Sequence, residues 1–200
     1  MPSLSLKRGL PSPIRVIALI VLYTGFIAWG VFYKREFLPD KTNAHIYNCF
    51  ILGQYLAFAY YFLQISQSHS VRKIIRVFLY LYPALWYLLV FFMFNLNEWN
   101  SYVYMVGGVF IVFFAIVYCY QLLNAAEPIM LRNCSEFWIA IGLIFFYTCG
   151  VPYMGMFNFL TKHQNDLARL LKIPLQISNI VMYSLFTYAF ICQLTITKRS

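Results

Sequence analysis

Apolar residues along this chain come in unbroken blocks, not in the alternation of a half-buried strand or the three-to-four rhythm of a surface helix. Six blocks stand out, at residues 14–32, 46–65, 74–94, 102–123, 137–159 and 173–194. Each is about 19 to 23 residues long, the length of helix that crosses a hydrocarbon core of roughly 30 Å. In hydrocarbon the backbone must satisfy its own hydrogen bonds, which leaves helices or closed barrels. Barrel strands alternate over about ten residues, and a stretch such as VIALIVLYTGFIAWGVF (16–32) does not. The pattern predicts an all-α integral membrane bundle of six transmembrane helices, a single polytopic domain over residues 1–200. The connections are at most about 13 residues, too short to fold as domains of their own.

Local signals refine the spans. Asn133 with Glu136 three residues on resembles a capping box opening the fifth span, and Pro174 falls in the first turn of the sixth, where a missing N–H matters least. Pro83, nearer the middle of the third span, is expected to bend it. Trp99, Tyr102, Tyr104 and Trp138 border spans as interfacial aromatic belts do. The stretch FFYTCGVPYMGMFNF (145–159) places Gly150, Pro152 and Gly155 inside a membrane span. Pro152 has no N–H for the carbonyl of Thr148, and the glycines let another backbone approach. This predicts a fifth helix bent near Pro152, with Gly150, Pro152 and Gly155 as its hinge, packed against a polar stripe on the sixth.

Composition agrees with the membrane reading and narrows it. Charged residues make up 10% of the chain, against about 25% in soluble domains. The net charge of +9 is carried outside the apolar blocks with no nucleic-acid motif beside it, so it is assigned to flanks near anionic lipid headgroups. Lys7, Arg8, Arg15, Arg72, Lys73, Arg76, Arg132, Lys198 and Arg199 would lie on one side of the membrane. Lys34, Arg35, Lys41, Lys162, Arg169 and Lys172 would lie on the other. The nine-to-six excess favours both termini in the cytoplasm. The basic N-terminal tail before an apolar run invites a signal-peptide reading, but the run is long, aromatic and followed by further spans, so a retained first helix is expected. Pro2 excludes N-myristoylation. Four of the five cysteines (Cys49, Cys119, Cys149, Cys192) sit in or beside apolar blocks and read as buried thiols, with no disulfide framework.

Candidate chemistry is sparse. The six acidic residues, Glu36, Asp40, Glu98, Glu127, Glu136 and Asp166, all fall in loops or at span ends, and no span centre holds Asp, Glu, Lys, Arg or His. A charge at mid-bilayer costs about 2.5–3.5 kcal/mol, which pumps and voltage sensors accept for function; its absence here argues against a proton-coupled carrier, a voltage sensor or a retinal protein. His45, His69 and His163 lie in different loops without metal-ligand spacing, so no metal, cofactor or catalytic residue is assigned. TKHQNDLARLLK (161–172) is the one segment rich enough for headgroup chemistry, and otherwise a solvated basic turn. Uncharged polar residues remain within the spans. Gln54, Tyr61, Thr148, Tyr153, Asn158, Gln176, Asn179 and Tyr183 would either bond across helices or line a polar-aromatic cavity for an amphipathic ligand.

NAHIYNCFILGQYLAFAYYFLQISQSHSVRKIIRVFL (43–79) and EFWIAIGLIFFYTCGVPYMGMFNFL (136–160) give the chain an Asn-x-x-Ile-Tyr-Asn opening to one helix and a Phe-Trp-Ile opening to a later one. In these it resembles small multi-pass membrane proteins of Bacteroidetes-type bacteria, often encoded near sensor histidine kinases. It departs from their pattern in having Gln54 where an acidic residue is usual nearby, and in lacking one more N-terminal helix. The resemblance implies a bacterial inner membrane, a signalling neighbourhood and no catalytic residue. The expected function is a non-enzymatic module, a sensory or accessory subunit binding membrane lipids and a partner such as a membrane-bound sensor kinase, or an apolar ligand. Two alternatives stand beside it: a small transporter or channel for a neutral solute lined by Gln54, Asn158, Gln176 and Asn179, and a lipid-processing enzyme using His163 and Asp166.

Overall fold

The computed structural model describes residues 12–37, 43–93, 99–124, 131–163 and 165–199. Among them are six long helices and no strand: α1 (Ser12–Phe37), α2 (Ala44–Ile65), α3 (His69–Leu88), α4 (Ser101–Leu123), α5 (Ser135–His163) and α6 (Asn165–Arg199). A π-helical turn, Leu89–Met93, extends α3, and a 3₁₀ turn, Leu131–Asn133, precedes α5. Each helix contains a stretch long and apolar enough to cross a membrane, from Pro13–Lys34 in α1 to Leu170–Thr195 in α6. The chain is a multi-pass helical membrane protein.

Burial sorts the helices. In an apolar 18-residue stretch of each span, 44, 39 and 39% of residues are buried in α2, α4 and α5, against 22% in α3 and α6 and 11% in α1. Thus α2, α4 and α5 form the centre, α6 lies along α5, α1 lies along α2, and α3 touches α2 more than α4. The outer faces carry bare apolar side chains, among them Leu22 (69% exposed), Phe26, Trp29 and Phe32 of α1 and Tyr80 and Leu81 of α3. Contiguous apolar surface of this extent is untenable in water and costs nothing against acyl chains. The inner faces keep a helical period: Ser178, Met182, Phe186 and Ala189 of α6 are buried, and Asn179, Ile180, Ser184 and Thr187 between them are exposed.

Several local expectations change. Helix α6 starts at Asn165, one residue after the end of α5 at His163, so the segment read as a loop over 161–172 is mostly helix. The Leu–Ala–Arg–Leu–Leu–Lys sequence (167–172) belongs to the first turns of the helix, with Asp166 in its favourable first turn. Pro174 therefore sits well inside α6 instead of in its first turn. Helix α5 opens at Ser135, and Asn133 ends the 3₁₀ turn that precedes it. Glu136 accepts hydrogen bonds from Ser135 Oγ at 2.9 Å and Cys134 Sγ at 3.6 Å. All five cysteines are free, but Cys49 is exposed toward lipid and the others are half-buried, so none is a core residue. Pro83 and Pro152 lie inside α3 and α5.

Candidate functional site

The centre of the bundle is closed by aromatic rings packed on a glycine pair. Gly107 and Gly108 of α4 leave a notch, and the Tyr55 ring of α2 fills it: a Cβ on Gly107 would overlap that ring and come within 2.8 Å of Tyr82 Oη. A Cβ on Gly108 would meet Val151 of α5. Small residues at a helix contact allow such close approach where no hydrophobic effect drives association. Tyr55 is fully buried, with its centroid 5.7 Å from Tyr82, 6.0 Å from Tyr104 and 5.4 Å from Tyr147. One residue type from each of α2, α3, α4 and α5 thus forms a continuous layer. Their hydroxyls also reach across: Tyr55 Oη donates to the Tyr104 carbonyl at 3.0 Å and Tyr82 Oη to the Val103 carbonyl at 3.2 Å.

Polar clusters flank this layer. Toward the N-terminus of α4, Trp86 Nε1 donates to the Asn48 carbonyl at 2.9 Å, and Asn48 Oδ1 accepts from the Asn100 backbone N–H at 3.3 Å. Asn100 Oδ1 in turn caps α4 by accepting from Val103 N–H at 3.2 Å, the ordinary role of Asn at a helix start. This ties α2, α3 and α4 at one end. At the opposite end Gln121 Oε1 accepts from Ser66 Oγ and Gln67 N–H, both at 3.4 Å, holding the tight α2–α3 turn on α4. Nearby, Ser135 Oγ also lies 3.2 Å from Gln193 Oε1 of α6. Burial pushes the Cys134 thiol above its ordinary range, the Phe137 backbone N–H draws it back, and the neighbouring Glu136 carboxylate adds to the rise. Tyr61 is fully buried beside this cluster, its hydroxyl without a hydrogen-bond partner among the described residues.

The sequence-predicted polar residues do not converge on one cavity. Gln54 (8% exposed) and Tyr61 are inside the bundle, while Thr148 is exposed. Tyr153 is buried in a small separate cluster with Leu160, against Phe157 and Leu175. The side chain of Asn158 lies outside the described residues. Tyr183 is half-buried, and Gln176 and Asn179 are exposed. Gln54 therefore does not line a common path with Gln176 and Asn179. Of the hinge residues, Gly150 receives Tyr104 Oη and Leu175, Gly155 receives the Met105 side chain, and Pro152 faces outward. The expected packing of α5 on the α6 polar stripe is thus replaced: α6 presents Leu175, Met182, Leu185 and Phe186 to α5. That substitution follows from chemistry, because four apolar side chains fill an interface at no desolvation cost and two amides do not.

Sequence reasoning passed over Gly107–Gly108. The signal was present, since VGGVF places two adjacent glycines in the first third of an otherwise uninterrupted apolar span. His163 and Asp166 are both exposed near the α5–α6 junction, and among the described residues no three His, Cys, Asp or Glu side chains are placed to hold a metal ion. Comparison with protein-family profiles, curated proteins and solved structures returns no match. The class defined by the fold is a six-helix multi-pass membrane bundle.

Proposed function

We propose that the protein is a non-enzymatic membrane module, a sensory or accessory subunit that docks a helix of a partner membrane protein on the outward face of α6. One observation carries this reading: Gln176 and Asn179 are exposed on the lipid side of their own bundle. At 1.5 Å per residue they lie about 9 and 14 Å inside the Leu170 end of the span. Ser184 and Thr187, on the same side, return their hydroxyls to the Ile180 and Tyr183 carbonyls. A carboxamide cannot satisfy its four sites that way, and leaving it bare in hydrocarbon costs about 2–7 kcal/mol. A neighbouring transmembrane helix is the natural source of partners, each interhelical bond contributing about 0.6 and up to about 1.7 kcal/mol. The closed aromatic centre favours this over a transporter, because a solute path needs polar lining where Tyr55, Tyr82 and Tyr147 now touch. The resemblance over residues 43–79 and 136–160 favours a sensor kinase of a bacterial inner membrane as the partner, and the nine-to-six excess of basic residues favours both termini in the cytoplasm.

The test is site-specific photocrosslinking in native cells. A benzophenone residue at Ile180, which is 68% exposed, captures a partner membrane protein, and one at the buried Met182 does not. Gln176→Leu with Asn179→Leu abolishes capture while the protein still accumulates in the membrane. Capture of lipid alone from Ile180, with the protein always purified by itself, overturns the proposal.

A further inference from the structure

Helix α3 stands off from α4 over part of its length, leaving an open groove of about 610 Å³ between them. Lys73, Val77, Leu81 and Leu88 of α3 and Val106 and Phe110 of α4 are among its walls. Among the described residues, Lys73 is the one charged side chain in the lining. From Lys73 to Leu88 the groove follows α3 for about 22 Å, which exceeds half of a hydrocarbon core of roughly 30 Å. Its volume falls within the range of about 300–1,000 Å³ that holds small-molecule ligands. The walls are otherwise apolar and open to lipid, as an acyl chain requires.

The charge at one end decides what kind of lipid. Arg72 and Arg76 are exposed on the same turns as Lys73, and the sequence holds no acidic residue between Asp40 and Glu98. Helix α4 carries none from Ser101 to Leu123. Three cations therefore cluster at the α3 N-terminal end of the groove, with no carboxylate among the described residues of either wall. They belong to the side of the membrane that the positive-inside excess assigns to the cytoplasm, where basic sites between transmembrane helices select anionic headgroups.

We infer that the α3–α4 groove binds an anionic phospholipid, with one acyl chain along Val77, Leu81 and Leu88 and the phosphate on Lys73 flanked by Arg72 and Arg76. This surface is separate from the α6 face, so either proposal can fail without the other. The full-length protein is purified in mild detergent and titrated with phosphatidylglycerol or phosphatidylcholine, with retention read by native mass spectrometry. Wild type retains phosphatidylglycerol preferentially. Lys73→Gln, at an exposed position, weakens phosphatidylglycerol retention about fivefold and leaves phosphatidylcholine unchanged, whereas Ala84→Trp, which plugs the groove, lowers retention of both. Equal retention of the two lipids by wild type, or a Lys73→Gln variant indistinguishable from it, overturns the inference. So does a photocrosslinker at Ala84 that captures a protein in native membranes instead of lipid.

Discussion

Gly107→Ala tests the packing at the heart of the bundle. The added methyl group overlaps the Tyr55 ring and approaches Tyr82 Oη to 2.8 Å. Tyr55 has nowhere to retreat, because its hydroxyl is tied to the Tyr104 carbonyl and its ring is enclosed by Tyr82, Tyr104 and Tyr147. Overpacking of this kind costs about 1–3 kcal/mol, and the helix propensity of Ala over Gly returns up to about 1. With about 1 kcal/mol returned, the expected net loss runs from about zero to about 2 kcal/mol. Gly25→Ala and Gly30→Ala in α1 are the matched controls, since nothing lies within 4 Å of either added Cβ; they gain up to about 1 kcal/mol from propensity alone. The assay is reversible unfolding of each variant by SDS in mixed micelles, followed by tryptophan fluorescence. Replacing Tyr55 by Leu as well should relieve the clash and give a coupling energy of about 1 kcal/mol, as residues in direct contact do. A Gly107→Ala variant as stable as Gly25→Ala, with no coupling to Tyr55, refutes the packing.

The remaining predictions concern the two polar ends. Asn100→Ala removes the α4 cap and lowers stability by about 1 kcal/mol; Asn48→Ala strands the Asn100 N–H, and a double-mutant cycle by the same SDS titration should show that the two losses are not additive. Tyr61→Phe deletes a buried hydroxyl that makes no hydrogen bond among the described residues, so stability should hold or rise by up to about 1 kcal/mol; a loss would reveal a partner. Because burial raises the Cys134 pKa, its thiolate is scarce at pH 8, and its rate of alkylation by iodoacetamide, followed by peptide mass spectrometry, should still be climbing above pH 9. A rate that levels off by pH 8 contradicts that environment.

The helices were legible because a bilayer leaves few choices: a 22-residue apolar run such as Ala44–Ile65 has to be a helix whatever it packs against. Orientation within the bundle was far less legible. In a soluble protein, polarity separates outside from inside, but here both faces of α6 are apolar enough for lipid. Gln176 and Asn179 looked like interior residues by chemistry, and only the packing of Met182 and Phe186 on α5 turned them outward. The tyrosine layer hid for a related reason. Tyr55, Tyr82 and Tyr147 are buried, yet Tyr60, Tyr80 and Tyr120 are exposed, and residue type alone does not separate the two sets. The short α5–α6 junction was missed because basic residues at 162–172 imitate a loop, although a helix emerging into the headgroup layer carries the same composition.

The most direct test is a nitroxide scan of α6 from position 176 to 189, one site at a time, in lipid nanodiscs. Relaxation by oxygen, which concentrates in the bilayer, reports which positions face lipid. The structure predicts maxima at 176, 179–180, 184 and 187 and minima at 178, 182, 186 and 189. Maxima at the latter four positions would place the amide stripe inside the bundle and contradict the arrangement on which the docking face depends.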